Sequence, residues 1–296
     1  MMKLNKDQQF FYDTYINFAE ELAKQGDRRI LELLQQQKIN KDLLLQQIAK
    51  VLLDYNIIDS ILDINATEKI FIYNKFSKSI DKLIGAELKN ELNRVSKTLT
   101  ELGKDKWNSN NYLVSIGIST KLKKVDDKTL DKIIDKKIDG LKYSDRLYNN
   151  KQEVAKRLKQ NVKDLLEGNI TVNEIKDNLN KTYNLNAYNT KRLVSNEIAR
   201  VNEGINNKWI EDNKLVQYVM WCATLENKTC SICGELDGKV WKKTENHPTP
   251  LEDTHIGCRC CLVPLLNKDY RPSQRLDNET KDNIGWQTYK EWQEQQ

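Results

Sequence analysis

Residues 229–261 read TCSICGELDGKVWKKTENHPTPLEDTHIGCRCC, and they hold five of the six cysteines and both histidines of a 296-residue chain. A chain of that length can bury a core without covalent staples, so cysteine is not needed as a general fastener. In a reducing compartment, clustered cysteines serve as metal ligands or redox groups more often than as disulfides. Cys230 and Cys233 form one close pair and His255 and Cys258 a second, with 21 residues between them. Two close pairs separated by an excursion are how a chain presents four ligands to a tetrahedral zinc ion. The expected ligands are therefore Cys230, Cys233, His255 and Cys258, with Cys260 as the competing fourth, around a structural Zn2+. Cys261 points to the opposite side from Cys260 if the chain is extended there. Its neighbours Leu262, Val263 and Leu265 suit a buried strand, so it reads as core. His247, inside ENHPTP, reads as an exposed loop residue.

Two chemistries are set aside on the same stretch. A redox C-x-x-C needs a βαβ context, whereas here helices precede the motif. A catalytic zinc needs an open position and a nearby base. Glu235, Asp237, Glu252, Asp253 and His247 are at hand, but a cysteine-rich site closes around its ion. The chain is therefore not expected to be an enzyme.

On the N-terminal side the pattern is helical. All four prolines fall from Pro248 onward, and apolar residues before that recur at three-and-four spacing. Tyr15, Phe18, Ala19, Leu22, Ile30 and Leu34 form one stripe, with a break expected near Gly26 and Asp27. Residues 43–53 form a second, and Ile80, Leu83, Ile84, Leu88, Leu92, Val95 and Leu99 a third. Between 103 and 140 the pattern weakens. WNSNNYLVSIGIST reads there as loop or short strand, and VDDKTLDKIIDKKIDGL as a short charged helix. Regularity returns with Val154, Leu158, Val162 and Leu165, a stripe that Gly168 is placed to end. Thr171 and Glu174 spell a capping box for a short helix carrying Ile175 and Leu179. A longer helix from 187 to about 212 turns Val194, Ile198, Val201, Ile205 and Trp209 inward. Arg192, Glu197, Arg200 and Glu203 lie on its other face, expected to be solvated.

Beyond Val216 the period changes. VQYVMWCAT alternates as a strand does, and Asp237-Gly238 in LDGKVW suits the two-residue turn of a hairpin, so the cysteines are expected on turns and short strands. The fold class that follows is mainly α. A multi-helix N-terminal and central region precedes a small, zinc-stabilised C-terminal module containing a β-hairpin. The divisions are a helical region at 1–102, a connector or arm at 103–142, a second helical region at 143–213, the zinc module at 214–266 and a tail at 267–296. The net charge of +5 is spread over interspersed signs, a mild bias compatible with nucleic acid. No apolar run suits a secretory signal or a bilayer span, so a cytoplasmic, membrane-free protein is expected.

The order of segments resembles a known family. The helical stretch 143–209 containing Asn196-Glu197-Ile198-Ala199-Arg200, then WCATLENKTCSICGELDGKVW, then HIGCRCCLVPL, is similar to the phage minor head protein family, also called the phage head morphogenesis or Mu F-like family. The likeness covers roughly 143–266. The motif positions it carries over are Glu197, Arg200, Asp237, Gly238 and Arg259. Glu226, Asn196 and Ile256-Gly257 depart from the usual pattern without removing a proposed ligand. The closing GWQTYKEWQEQQ looks like the aromatic ending of such proteins.

The resemblance implies a structural minor capsid protein of a tailed phage or prophage. It would be made in the host cytoplasm, incorporated into the procapsid interior or portal vicinity of the virion head, and active in head morphogenesis and the handling of packaged DNA. Its implied partners are the portal protein, the major capsid or scaffolding protein, and double-stranded DNA. The competing readings are a zinc-dependent nuclease or toxin domain carried by a phage, and a zinc-finger nucleic-acid binding protein. Thiolate ligands disfavour the hard ion a nuclease uses, and the segment between the ligands does not look like a recognition helix.

Overall fold

The computed structural model describes residues 6–115 and 123–296, with side chains described for 25–112 and 123–296. Long helices dominate: α1 (Lys6–Asp54), α2 (Ala66–Ser115), α4 (Tyr143–Glu167) and α5 (Glu174–Asp212), with a short α3 (Asp127–Ile134). A hairpin of β1 (Asn56–Ile58) and β2 (Ile61–Asp63) lies between α1 and α2. The C-terminal part holds β3 (Tyr218–Cys222), α6 (Ser231–Leu236), β4 (Val240–Lys242), β5 (Cys261–Leu265), β6 (Gln274–Leu276), β7 (Asn283–Gly285) and α7 (Tyr289–Gln293). The chain folds as two compact units: Met1–Gly26, Thr98–Lys136 and Ser195–Gln296 make the first, Asp27–Lys97 and Lys137–Val194 the second.

The second unit is helical. Its core joins Leu44, Ile48, Phe76, Ile80, Leu158 and Leu179, all from helices, with Leu62 of the hairpin. Local chemistry sets the helix ends as the sequence suggests. Gly168 closes α4 in the left-handed conformation (φ 79°), which a Cβ would strain. A Cβ there would also come within 3.0 Å of Ile61 on β2. Thr171 and Glu174 exchange the capping-box hydrogen bonds that start α5. The β1–β2 turn places Asp59 and Ser60 at positive φ, the geometry of a tight hairpin turn, although neither is the glycine or asparagine usual there.

Each helix of this unit carries polar residues on its buried stripe. On α2 the stripe runs Ile80, Ile84, Glu87, Glu91, Val95, one position round from the expected Leu88 and Leu92, which are half-buried. On α4 it runs Leu147, Lys151, Val154, Leu158; on α5, Leu179, Tyr183, Asn186, Thr190, Val194; on α1, Leu33, Gln37, Asn40, Leu44.

The first unit sets the end of α5 against other elements. Val201 and Ile205 lie beside Gly103, where a Cβ would come within 2.7 Å of Leu130 on α3. A three-stranded antiparallel sheet in the order β4-β3-β5 pairs Met220 with Val240 on one side and with Val263 on the other.

Several expectations are corrected. Helix α1 runs through Gly26 and Asp27 without a break, where a Cβ on Gly26 would press within 3.2 Å of Ile198. The inward role of Tyr15, Phe18, Ala19 and Leu22 falls outside the described side chains. Residues 103–115 continue α2 instead of forming a loop or strand, anchored by Leu102, Trp107 and Asn110 in the buried interior. The remainder of that stretch, through 122, lies outside the described residues. α5 is one helix across 184–186, because Tyr183, Asn186 and Thr190 continue its buried stripe. The 267–296 segment is folded, with Arg275, Asp277, Tyr289 and Trp292 buried. Among the described residues no helix is long and apolar enough to cross a membrane.

Candidate metal centre and its supports

Helix α6 begins at the first cysteine pair. Cys230 is its N-cap, and the Cys230 Sγ accepts from the Cys233 N–H at 3.4 Å. The expected two-residue hairpin turn is therefore not formed. Residues 231–236 are helical, and the hairpin partner of β3 is β4, beyond Gly238 (φ 74°). Cysteines sit at a helix start because an N-terminus offers free N–H groups and positive potential to a thiolate. The second pair lies on a turn in which the Cys258 N–H meets the His255 carbonyl at 3.2 Å, with Gly257 at φ 83°.

The ligand-type atoms converge on Cys233. Its Sγ lies 3.7 Å from Cys258 Sγ and 3.8 Å from His255 Nε2. Cys230, Cys233 and His255 have their donor atoms within 4.8 Å of one another, as do Cys233, Cys258 and Cys260. Sulfurs bound to one tetrahedral zinc at about 2.3 Å are separated by about 3.8 Å, so the spacing of the Cys233–Cys258 pair fits that ion. His255 Nδ1 lies 3.1 Å from the Ile256 carbonyl, an acceptor only, so Nδ1 carries the proton and Nε2 keeps its lone pair for a metal.

A hydrogen bond from Cys260 is the main cause pulling Cys258 down to about 5, and the same contact with Cys258, followed by burial, pushes Cys260 up. Burial pushes Cys233 up to about 12. Burial opposes ionisation of Cys230, but hydrogen bonds from Cys233 bring its thiol below the ordinary range. The hydrogen bond to Ile256 raises His255, with burial opposing it. Trp221, Ala223 and Leu262 pack against the sulfurs. His247 is in neither group of close donor atoms; its ring lies 6.3 Å from that of Trp241, which packs against the cysteine cluster. Cys261 lies across β3–β5 from Cys222, with their shared hydrogen bond, followed by burial, holding its thiol well up.

The motif residues act as supports. Asp237 is buried at the end of α6. Its Oδ2 accepts from Arg275 Nη1 at 2.7 Å and from the Tyr289 N–H at 2.6 Å, and its Oδ1 accepts from the Ala223 N–H at 2.7 Å. Arg275 also donates to the Ala223 and Gln287 carbonyls and lies over the Trp286 ring at 4.8 Å. Gly234 is helical and is not a turn residue: a Cβ there would come within 2.5 Å of the Tyr289 ring. Arg259 pairs with Glu226.

Glu197 and Arg200, expected on a solvated face, are largely buried and paired at 2.7 Å. Arg200 donates to the carbonyls of Ile133 and Ile134 at 2.7 and 2.8 Å, satisfying the C-terminus of α3. Glu203 is buried beside Lys106, and burial pushes its carboxyl to about 8. Arg192, also expected there, lies over the Tyr188 ring at 5.7 Å.

Sequence reasoning missed Arg275, Asp277 and Trp292, the last two joined at 2.9 Å through Trp292 Nε1. A lone arginine and aspartate in a polar tail give no periodic signal. The aromatic ending was the available clue.

Residues 149–263, less than half of the chain, match the model of a family described as Phage Mu protein F like protein. That stretch lies within the 143–266 likeness drawn from the motifs. No curated protein and no solved structure matches the chain.

Proposed function

Because residues 149–263 carry the pattern of the Phage Mu protein F like family, a phage head morphogenesis family, we propose that this chain is a structural minor protein of a tailed-phage or prophage head. It acts in head assembly near the portal, made in the host cytoplasm and incorporated in the head. The portal protein, with the major capsid or scaffolding protein, is its partner, and packaged double-stranded DNA is a further contact for a chain of net charge +5. The family match carries this reading. Quantitative mass spectrometry of purified procapsids and virions tests it: the protein is expected in one or both, and its absence from both overturns the reading.

Zinc is the structural cofactor in this reading, held by Cys230, Cys233, His255 and Cys258. The 3.7 Å separation of the Cys233 and Cys258 sulfurs supports that set, with Cys260 as the alternative fourth ligand. The ion would cross-link the start of α6 to the 255–258 turn, and its binding energy would appear largely as folding energy. Metal analysis should find about one zinc per chain, lost in Cys233→Ser. Retention in Cys258→Ser with loss in Cys260→Ser would reassign the fourth ligand. A nuclease is not favoured, since the ligand-type residues that come together are thiolates and one histidine, and His247, the spare base, is not among them. DNA cleavage by the zinc-loaded protein that disappears in His247→Ala would overturn the structural assignment.

A further inference from the structure

The polar residues on the buried stripes of the second unit meet one another. Lys151 is 0 % exposed, and Glu87, Glu91 and Asn186 are 1 % exposed. Lys151 Nζ donates to Glu87 Oε1 at 2.5 Å, to Glu91 Oε1 at 2.7 Å and to Asn186 Oδ1 at 3.0 Å, which uses all three of its protons. Asn186 Nδ2 in turn donates to the same Glu87 Oε1, at 2.9 Å. One carboxylate oxygen thus touches both an amine and the nitrogen of the carboxamide that the amine faces.

A buried salt bridge needs only the amine and a carboxylate. What this arrangement adds is the set of parts for acyl transfer: a nucleophile, an acyl carbon with a nitrogen leaving group, and an acid–base group in hydrogen-bond reach of both. The electrophilic Cγ of Asn186 is one bond beyond the Oδ1 that Lys151 already touches. One amine faces two carboxylates in a site closed to solvent. Burial raises the Glu91 carboxyl, and its Oε2 has no hydrogen-bond partner among the described residues. Low exposure also keeps out the water that would compete by hydrolysing the amide.

We propose that Lys151 and Asn186 become joined by a side-chain isopeptide bond that the folded chain forms on itself, with Glu87 as its catalytic residue. Glu87 takes a proton from the Lys151 ammonium, freeing the Nζ lone pair. Nζ attacks Asn186 Cγ, forming the new C–N bond while the carbonyl π pair moves onto Oδ1. Collapse restores the C=O and breaks the Cγ–Nδ2 bond, as Glu87 passes a proton to Nδ2. Of the three ammonium protons, one stays on the new amide nitrogen and one leaves in ammonia. The third remains on the Glu87 carboxyl until solvent or the departing ammonia removes it. An amine and a carboxamide give a secondary amide and ammonia, with no change in oxidation state and no cofactor. The bond ties α4 to α5 across the Gly168 turn and replaces a buried ammonium by a neutral amide.

Mass measurement of the full-length protein, denatured, reduced and freed of metal, tests this directly. The chain is expected about 17 Da below its sequence mass, one ammonia lost, once N-terminal methionine removal is counted. Peptide mapping should recover a branched peptide with Lys151 joined to Asn186. Glu87→Gln and Lys151→Arg should both return to the mass of their sequences, with linear peptides only. Unmodified linear peptides containing Lys151 and Asn186 from the parent protein overturn the proposal, whatever the variants do. A loss of water that maps to Lys151 and either glutamate also overturns it. Survival of the branched peptide in Glu87→Gln overturns the role given to Glu87.

Discussion

Asp237 shows how much one buried carboxylate can hold. It accepts from the N–H groups of Ala223 and Tyr289 and from both terminal nitrogens of Arg275, so the ends of β3 and α6 and the start of α7 meet on two oxygens. Removing one partner of a buried pair leaves the other charge uncompensated, at a cost of about 3–5 kcal/mol. Asp237→Ala is expected to lower the unfolding free energy by that order, and more than Glu153→Ala, which breaks an exposed pair on α4. Gly234→Ala should also destabilise, because the methyl group meets the Tyr289 ring. Urea unfolding of the two variants measures both losses. Glu203 supplies a pH signature. Its folded value of about 8 lies above the ordinary 4.5, so the protonated form is favoured by folding. Its contribution is complete below the unfolded value and is lost as pH rises through about 8. Glu203→Gln, which stays neutral, should therefore gain in melting temperature relative to the parent as pH is raised across that window. An unchanged difference between the two melting curves would contradict the assignment.

At the scale of elements, Arg200 fastens α3. Its guanidinium fills the carbonyl end of that helix while pairing with Glu197 on α5. Arg200→Ala should raise hydrogen exchange across Asp127–Ile134 selectively, leaving the amides of α4 protected. The same contrast explains what could be read beforehand. Helix α4, its glycine end and the Thr171 cap were legible because their causes are local: a stripe, a left-handed glycine, a reciprocal cap. The ligand-type residues were legible because close spacing along the chain forces closeness in space. Glu197, Arg200, Glu87 and Lys151 were misread or passed over because what buries them is distant: Lys151 and Glu87 are 64 residues apart. A charged residue on a core stripe looks like a break in the stripe until its partner is found. Hence the sequence pattern suggests a break at 184–186, inside α5, and an α2 stripe through Leu88 and Leu92.

For the whole molecule, the division into two compact units predicts a divided response to metal. Chelation should raise hydrogen exchange in α6, the 255–258 turn and the neighbouring strands, and leave 137–194 unchanged. Uniform loosening of both units would show that the ion supports more than its own surroundings. The buried polar residues of the second unit have a separate consequence for how its helices choose partners. Apolar stripes alone tolerate sliding, since one leucine replaces another after a turn of about 5.4 Å. While the chain folds, before any bond joins Lys151 to Asn186, such a slip would carry the Lys151 amine away from Glu87 and Glu91 and set it against hydrocarbon. The layer works as a detent, permitting one alignment of the four helical segments and rejecting its neighbours.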